Sequence, residues 1–171
     1  MRHPRRPSPL SPGRLRVVRP VLTLLLGLGG LSPAQDAAAT ITPFAEAVDG
    51  AIDEAQRCLR NAQRADGSWF YDGDESSGTG VTGLVALCFL EKRASADFNS
   101  PNLGYRGMVA ADQDRIRQAV RFLLDSDPGL VPGGTPYTYG TGSSLMALTL
   151  YLNTGGPADV GGPRLVGEAI A

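Results

Sequence analysis

Gln63-Arg64-Ala65-Asp66-Gly67-Ser68-Trp69 is the stretch on which the fold turns: an amphipathic helical pattern stops before it, and an apolar helical run begins after it. It reads as a joint between two helices. Asp66-Gly67 is a stop signal, because glycine enters the left-handed conformation that ends a helix without steric penalty and aspartate tolerates turn geometry. Gln63 stands in the last turn, where its amide offers donors and an acceptor to backbone groups left unpaired at a helix end. Trp69, the one tryptophan of the chain, falls two residues past the glycine, where it can cover the joint.

Upstream, Thr42 is a cap and Pro43 suits a first helical position. Phe44, Val48, Ile52, Ala55, Leu59 and Ala62 then recur every three or four residues, the period of one amphipathic helix. The opposite face, Glu46, Asp49, Asp53, Arg57, Arg60 and Arg64, runs from acidic to basic in the sense that complements the helix dipole, and reads as a solvated face. Downstream lies a loop, Phe70 to Gly78, in which Asp72, Asp74 and Glu75 offer oxygen ligands to a hard cation such as calcium. Their spacing completes no ligand loop, so an ordinary acidic turn is expected. Thr79 is the expected cap of a second helix, Gly80 to about Lys92, apolar nearly all round and therefore in need of cover on most sides.

A polar connection, residues 93–111, separates this helix pair from another. Asp112 or Asp114 is the expected cap of the third long helix, whose stripe of Ile116, Ala119, Val120, Leu123 and Leu124 closes at Asp127-Pro128-Gly129. An internal repeat is then visible. Arg57-Cys58-Leu59 lies over Arg121-Phe122-Leu123, and Leu84-Val85-Ala86-Leu87 lies over Leu145-Met146-Ala147-Leu148. In the second copy Asp127 replaces the glutamine and Gly133-Gly134 falls where the tryptophan stood, with Thr135 to Gly140 as candidate aromatic cover. Residues 141–153 are again apolar, and Leu165 to Ala171 resembles the first turns of a third such unit. The expectation is an all-α fold, with repeat one at 42–92, repeat two at 112–153 and the start of a third at 165–171. Stacked helix pairs bury their faces against neighbours and need about three units to be stable. The chain is therefore expected either to be a fragment of a longer protein or to associate, with itself or a partner, through its open ends.

The pattern Gln63-x-x-x-Gly67-x-Trp69 resembles the repeated motif of squalene and hopene cyclases and of related prenyltransferase/squalene oxidase repeat proteins. In that family an aromatic-Leu pair precedes the glutamine. Here Cys58-Leu59 stands there, matching at the leucine, while Phe122-Leu123 keeps the pair in the second copy. Ala55 fits the family's small position, and Glu54 stands where a base is the rule. The resemblance implies an α/α toroid, of which residues 42–171 would form about a third. It also raises catalysis: those cyclases protonate a polyprene with an Asp-x-Asp-Asp acid. The nearest string here, Asp112-Gln113-Asp114-Arg115, ends in arginine at a helix start, where capping is the expected role. Protein prenyltransferase β subunits share the toroid but hold zinc with Asp, Cys and His.

Residues 1–34 combine six arginines and no acid with the apolar run Val21 to Leu31 and the small residues Ser32-Pro33-Ala34, the pattern of an export signal cleaved after Ala34. The run falls short of the roughly 20 residues of a membrane span. Removing the leader leaves 10 basic residues against 17 acidic ones, a net charge of −7. Such a chain lacks the basic footprint of nucleic-acid binding or of an anionic-lipid anchor. The single histidine, His3, lies within the leader, so the remainder lacks the base of a Ser-His-Asp or Cys-His site and the histidine of a zinc site. Cys58 and Cys88 read either as two small buried side chains or as one disulfide between paired helices. No catalytic, cofactor or metal residue is assigned. The expected function is an exported, non-catalytic scaffold or binding module for a protein or an apolar ligand; the alternative is a piece of a terpene cyclase whose acid lies outside this chain.

Overall fold

The helix predicted upstream of the joint forms as α1, Pro43–Ala62, in a computed structural model that describes residues 41–71, 78–130, 134 and 138–171. The Thr42 hydroxyl accepts from the Ala45 amide at 3.1 Å, and Pro43 needs no partner for an N–H it lacks. The other helices are α2 (Gly78–Leu90), α3 (Gly104–Gly107), α4 (Ala110–Ser126), α5 (Thr138–Asn153) and α6 (Val166–Ala169). The described residues are all-α, with one isolated antiparallel bridge between Arg93 and Asn102. They lie in one compact unit, Ala37–Ala171. The expected leader, the acidic triplet Asp72, Asp74 and Glu75, and Gly133 lie outside them.

The direction of each helix follows from its contacts. Asp53 of α1 pairs with Lys92, just past α2, and Gln56 Nε2 donates to the Cys88 carbonyl at 3.1 Å; the two helices therefore run antiparallel. α4 meets α1 only at the end of that helix, through Arg60 and Asp112, and α5 runs beside α2 in the same sense, Gly80 against Gly140 and Gly83 against Ser143. The last contact is close because its residues are small. A Cβ on Gly83 would come within 2.9 Å of the Ser143 and Ser144 backbone, and the Ser143 hydroxyl donates to the carbonyls of Gly80 and Gly140. Side-by-side α2 and α5 give up their polar periphery, which is why both sequences are apolar or small all round. α4 closes the core over them, with Ile116, Ala119, Val120, Leu123 and Leu124 fully buried beside Phe89, Leu90, Leu148 and Tyr151.

Several sequence expectations are corrected. α2 starts at Gly78, so Thr79 lies inside the helix; the glycine is needed because a Cβ there would strike the Phe70 ring. α2 ends at Leu90, since the Lys92 side chain turns back to Asp53 and its carbonyl accepts from Leu103 at 2.7 Å. Neither Asp112 nor Asp114 caps α4: Val109 is the cap residue, Asp112 turns to Arg60, and Asp114 pairs with Arg117. α5 begins at Thr138, three residues early. Tyr139 does not supply the missing aromatic cover, being 62% exposed with its ring against Gly80 of α2. Cys58 and Cys88 are neither buried nor joined; both are free and exposed.

Two glycines separate backbone necessity from chance. Gly67 has φ +90°, and a Cβ there would lie 2.5 Å from the Gln118 carbonyl oxygen. Gly50 sits inside α1 with nothing within 4 Å of where its Cβ would be. Gly67→Ala is expected to cost about 1–3 kcal/mol in urea unfolding, and Gly50→Ala to add about 0.5–1 kcal/mol. Equal effects would contradict this placement.

Candidate functional site

Four residues leaving the end of α1 meet four residues of α4 in the same order. Arg60 donates from Nε and Nη2 to the two Asp112 carboxylate oxygens at 2.9 and 2.8 Å. Gln63 Nε2 donates to the Arg115 carbonyl at 3.0 Å and to the Gly67 carbonyl at 3.1 Å. Gly67 lies on the Gln118 backbone, and the Phe70 ring meets Phe122 edge-on at 6.2 Å. These residues form a clasp between the first helix pair and the second.

The joint is rigid enough to present that clasp. Arg64 and Ser68 close the turn through their backbone, and the Asp66 carboxylate accepts from the Ser68 amide and hydroxyl at 3.0 and 2.6 Å. The hydroxyl bond, above all, holds the Asp66 carboxyl below its usual range. Trp69 is buried, donates Nε1 to the Leu59 carbonyl at 2.7 Å, and tilts against Phe89 with 6.3 Å between ring centres. Its amide donates to the Thr82 hydroxyl at 3.0 Å, which fixes the start of α2. Gln63, Gly67 and Trp69, singled out from sequence, are thus brought together, each with a separate task. The glutamine reaches the next pair, the glycine allows backbone contact, and the tryptophan seals the joint to its own pair.

The second joint works differently. Asp127, like Gln63, is the extended residue that ends its helix. It is fully buried and accepts from the Thr141 hydroxyl at 2.9 Å, the Ser144 hydroxyl at 2.6 Å and the Gly129 amide at 2.9 Å. The carboxylate binds α4 to its own partner α5. Sequence reading missed Thr141 and Ser144; the signal that finds them is two hydroxyls spaced on one face of an otherwise apolar helix, opposite a buried acid.

Beside α1 runs a groove of about 370 Å³, floored by Val48, Ile52, Ala55 and Leu59 and walled by Cys88 and Phe98. It exists because α1 is thinly covered. Ile52 is 42% exposed, whereas Ile116 at the matching position of α4 is sealed. α4 lies over α2, the apolar helix preceding it in the chain; no described helix stands in that relation to α1. Desolvation in the groove wall pushes the Cys88 thiol up. Among the described residues no group of three or more His, Cys, Asp or Glu is placed to hold a metal ion, and no helix is long and apolar enough to cross a membrane.

Comparison with protein-family models, with curated proteins and with solved structures finds no match to this chain.

Gln63→Glu would set a carboxylate against two carbonyl oxygens in place of an amide that donates to both. An unmet or repelled buried group costs about 1–3 kcal/mol, and urea unfolding of this variant is expected to show a loss in that range. Stability within error of the parent would mean that the glutamine bonds are not made.

Proposed function

We propose that this chain is an exported, non-catalytic scaffold or binding module of the prenyltransferase/squalene oxidase repeat kind, offering apolar surface to a protein or an apolar ligand. The observation that carries this reading is how its acids are used. Asp112 is held by the Arg60 guanidinium and Asp127 by two hydroxyls and an amide, while Asp114 pairs with Arg117. A general acid needs a proton and access to substrate; these carboxylates serve packing. The open apolar surface is instead the groove on α1. The clasp supports the family reading, because the glutamine, glycine and tryptophan of the motif each have a use in joining successive helix pairs. The leader, residues 1–34, supports export.

The test pairs turnover with binding on the purified chain. An acyclic polyprene is expected to be recovered unchanged, and the fluorescence of anilinonaphthalene sulfonate bound to the protein is expected to fall at least about twofold in Ile52→Glu, which puts a charge into the groove. Formation of a cyclised product that Asp112→Asn abolishes would overturn the reading in favour of a cyclase. Unchanged fluorescence would remove the groove as a binding surface.

A further inference from the structure

Beside the tie between Arg60 and Asp112 lies a second cavity, of about 150 Å³, bounded by the end of α2, the α3 turn and the start of α4. Its lining divides in two. Phe89, Leu103 and Met108 give it an apolar half, in which Phe89 and Met108 are buried. Gln56, Arg60, Lys92 and Asp112 give it a polar half, in which Gln56 and Asp112 are only 3% and 6% exposed. A few convergent polar groups set against an apolar wall are the make-up of a small-molecule site. The cavity is distinct from the groove on α1, with which it shares only Gln56 and Lys92.

The hydrogen bonds around this cavity leave donors over. Arg60 spends Nε and Nη2 on Asp112 and, at 3.3 Å, on the Gln56 side-chain oxygen, while its Nη1 group bonds to nothing among the described residues. Lys92 gives Asp53 one of its three N–H groups. The charges do not balance either. Arg60, Lys92 and Arg115, the last 3.6 Å from Asp112, are met by Asp112 and Asp53 alone. The Arg115 Nε is buried without a hydrogen bond. Asp49 and Glu91 line the groove and not this cavity. One positive charge is thus left unmet beside a partly enclosed space, where a counter-ion is held more strongly than in water.

We propose that this cavity binds a small monocarboxylate with a short hydrocarbon tail, its oxygens on Lys92 Nζ and Arg60 Nη1 and its tail against Phe89, Leu103 and Met108. Charge fixes the head. A single excess cation calls for a monoanion, whereas a dianion such as inorganic phosphate overshoots it and leaves the apolar half unfilled. A planar carboxylate also matches the donor fork of a guanidinium. Size fixes the tail, since about 150 Å³ is room for roughly five waters at ~30 Å³ each, enough for butyrate and too little for a long acyl chain. Nothing in this site depends on the scaffold reading or on a ligand in the groove.

Titration calorimetry of the full chain with sodium butyrate is expected to show saturable one-to-one binding with a Kd on the order of millimolar. The uncharged 1-butanol is expected to bind about tenfold more weakly, and Lys92→Met, which keeps the stem and removes the ammonium, to weaken butyrate by a similar factor with an unchanged far-ultraviolet circular dichroism spectrum. Asp53→Asn supplies the decisive readout. It releases Lys92 from an exposed partner and is expected to tighten butyrate about two- to threefold, a gain that a merely structural role for Lys92 does not give. Ile52→Glu, outside the cavity, is expected to bind butyrate as the parent does, which separates this site from the groove. No saturable binding of butyrate, equal binding of 1-butanol, tighter binding of inorganic phosphate, or no gain in Asp53→Asn would each overturn the proposal.

Discussion

A helix with an uncovered apolar flank has to be held by something other than its own burial, and in this chain that is the clasp at the end of α1. Of the twenty residues of α1, only Ala45 and Gln56 are buried. The tie consists of the two-point bond between Arg60 and Asp112, the Gln63 amide on the Arg115 carbonyl, and the backbone of Gly67 laid on that of Gln118. Paired, partly shielded charges with bidentate geometry are the strong members of their class. The cation of Arg60 also lies 5.5 Å from the Phe89 ring centre, so the same side chain reaches the core of α2. Binding at one end leaves the groove open along the remainder of α1.

The two joints solve one problem with different chemistry. Both must end a helix and start its partner without leaving polar groups unpaired in a buried turn. The first uses an amide that points outward to the next pair and a tryptophan that faces inward. The second uses a carboxylate that points inward to Thr141 and Ser144. An inward tie fastens a pair to itself, whereas an outward tie fastens it to a neighbour. The glutamine ties the first pair to α4, and Asp127 at the corresponding place ties α4 to α5 instead.

Much of the fold was legible from local chemistry. The cap at Thr42 and the apolar stripe of α4 are set by residues a few positions apart, and each formed as read. The stop did not, since α1 ends at Ala62 on an extended Gln63 and Gly67 takes its positive φ in the turn beyond. What escaped the sequence is what depends on partners far along the chain. Asp112 looked like a cap because it stands where caps stand; its partner Arg60 is 52 residues away. Periodicity identified the residues that share one face of α1 and placed them in a core, yet period says nothing of what covers a face, and Ile52 and Phe44 are exposed. The limits of α2 and α5 shifted because glycines and hydroxyls at their starts pack against other elements and not against their own termini. At the candidate site, Gln63, Gly67 and Trp69 were found by pattern, while the hydroxyl pair that holds Asp127 was not, since serine and threonine carry no strong periodic signal.

The central claim is that the clasp couples α1 energetically to α4. A double-mutant cycle on Arg60→Ala and Asp112→Ala, read by urea unfolding, isolates that coupling from the separate cost of each truncation. The account predicts an interaction energy of about 1–3 kcal/mol between the two sites. Additive effects, with an interaction energy within error of zero, would contradict it.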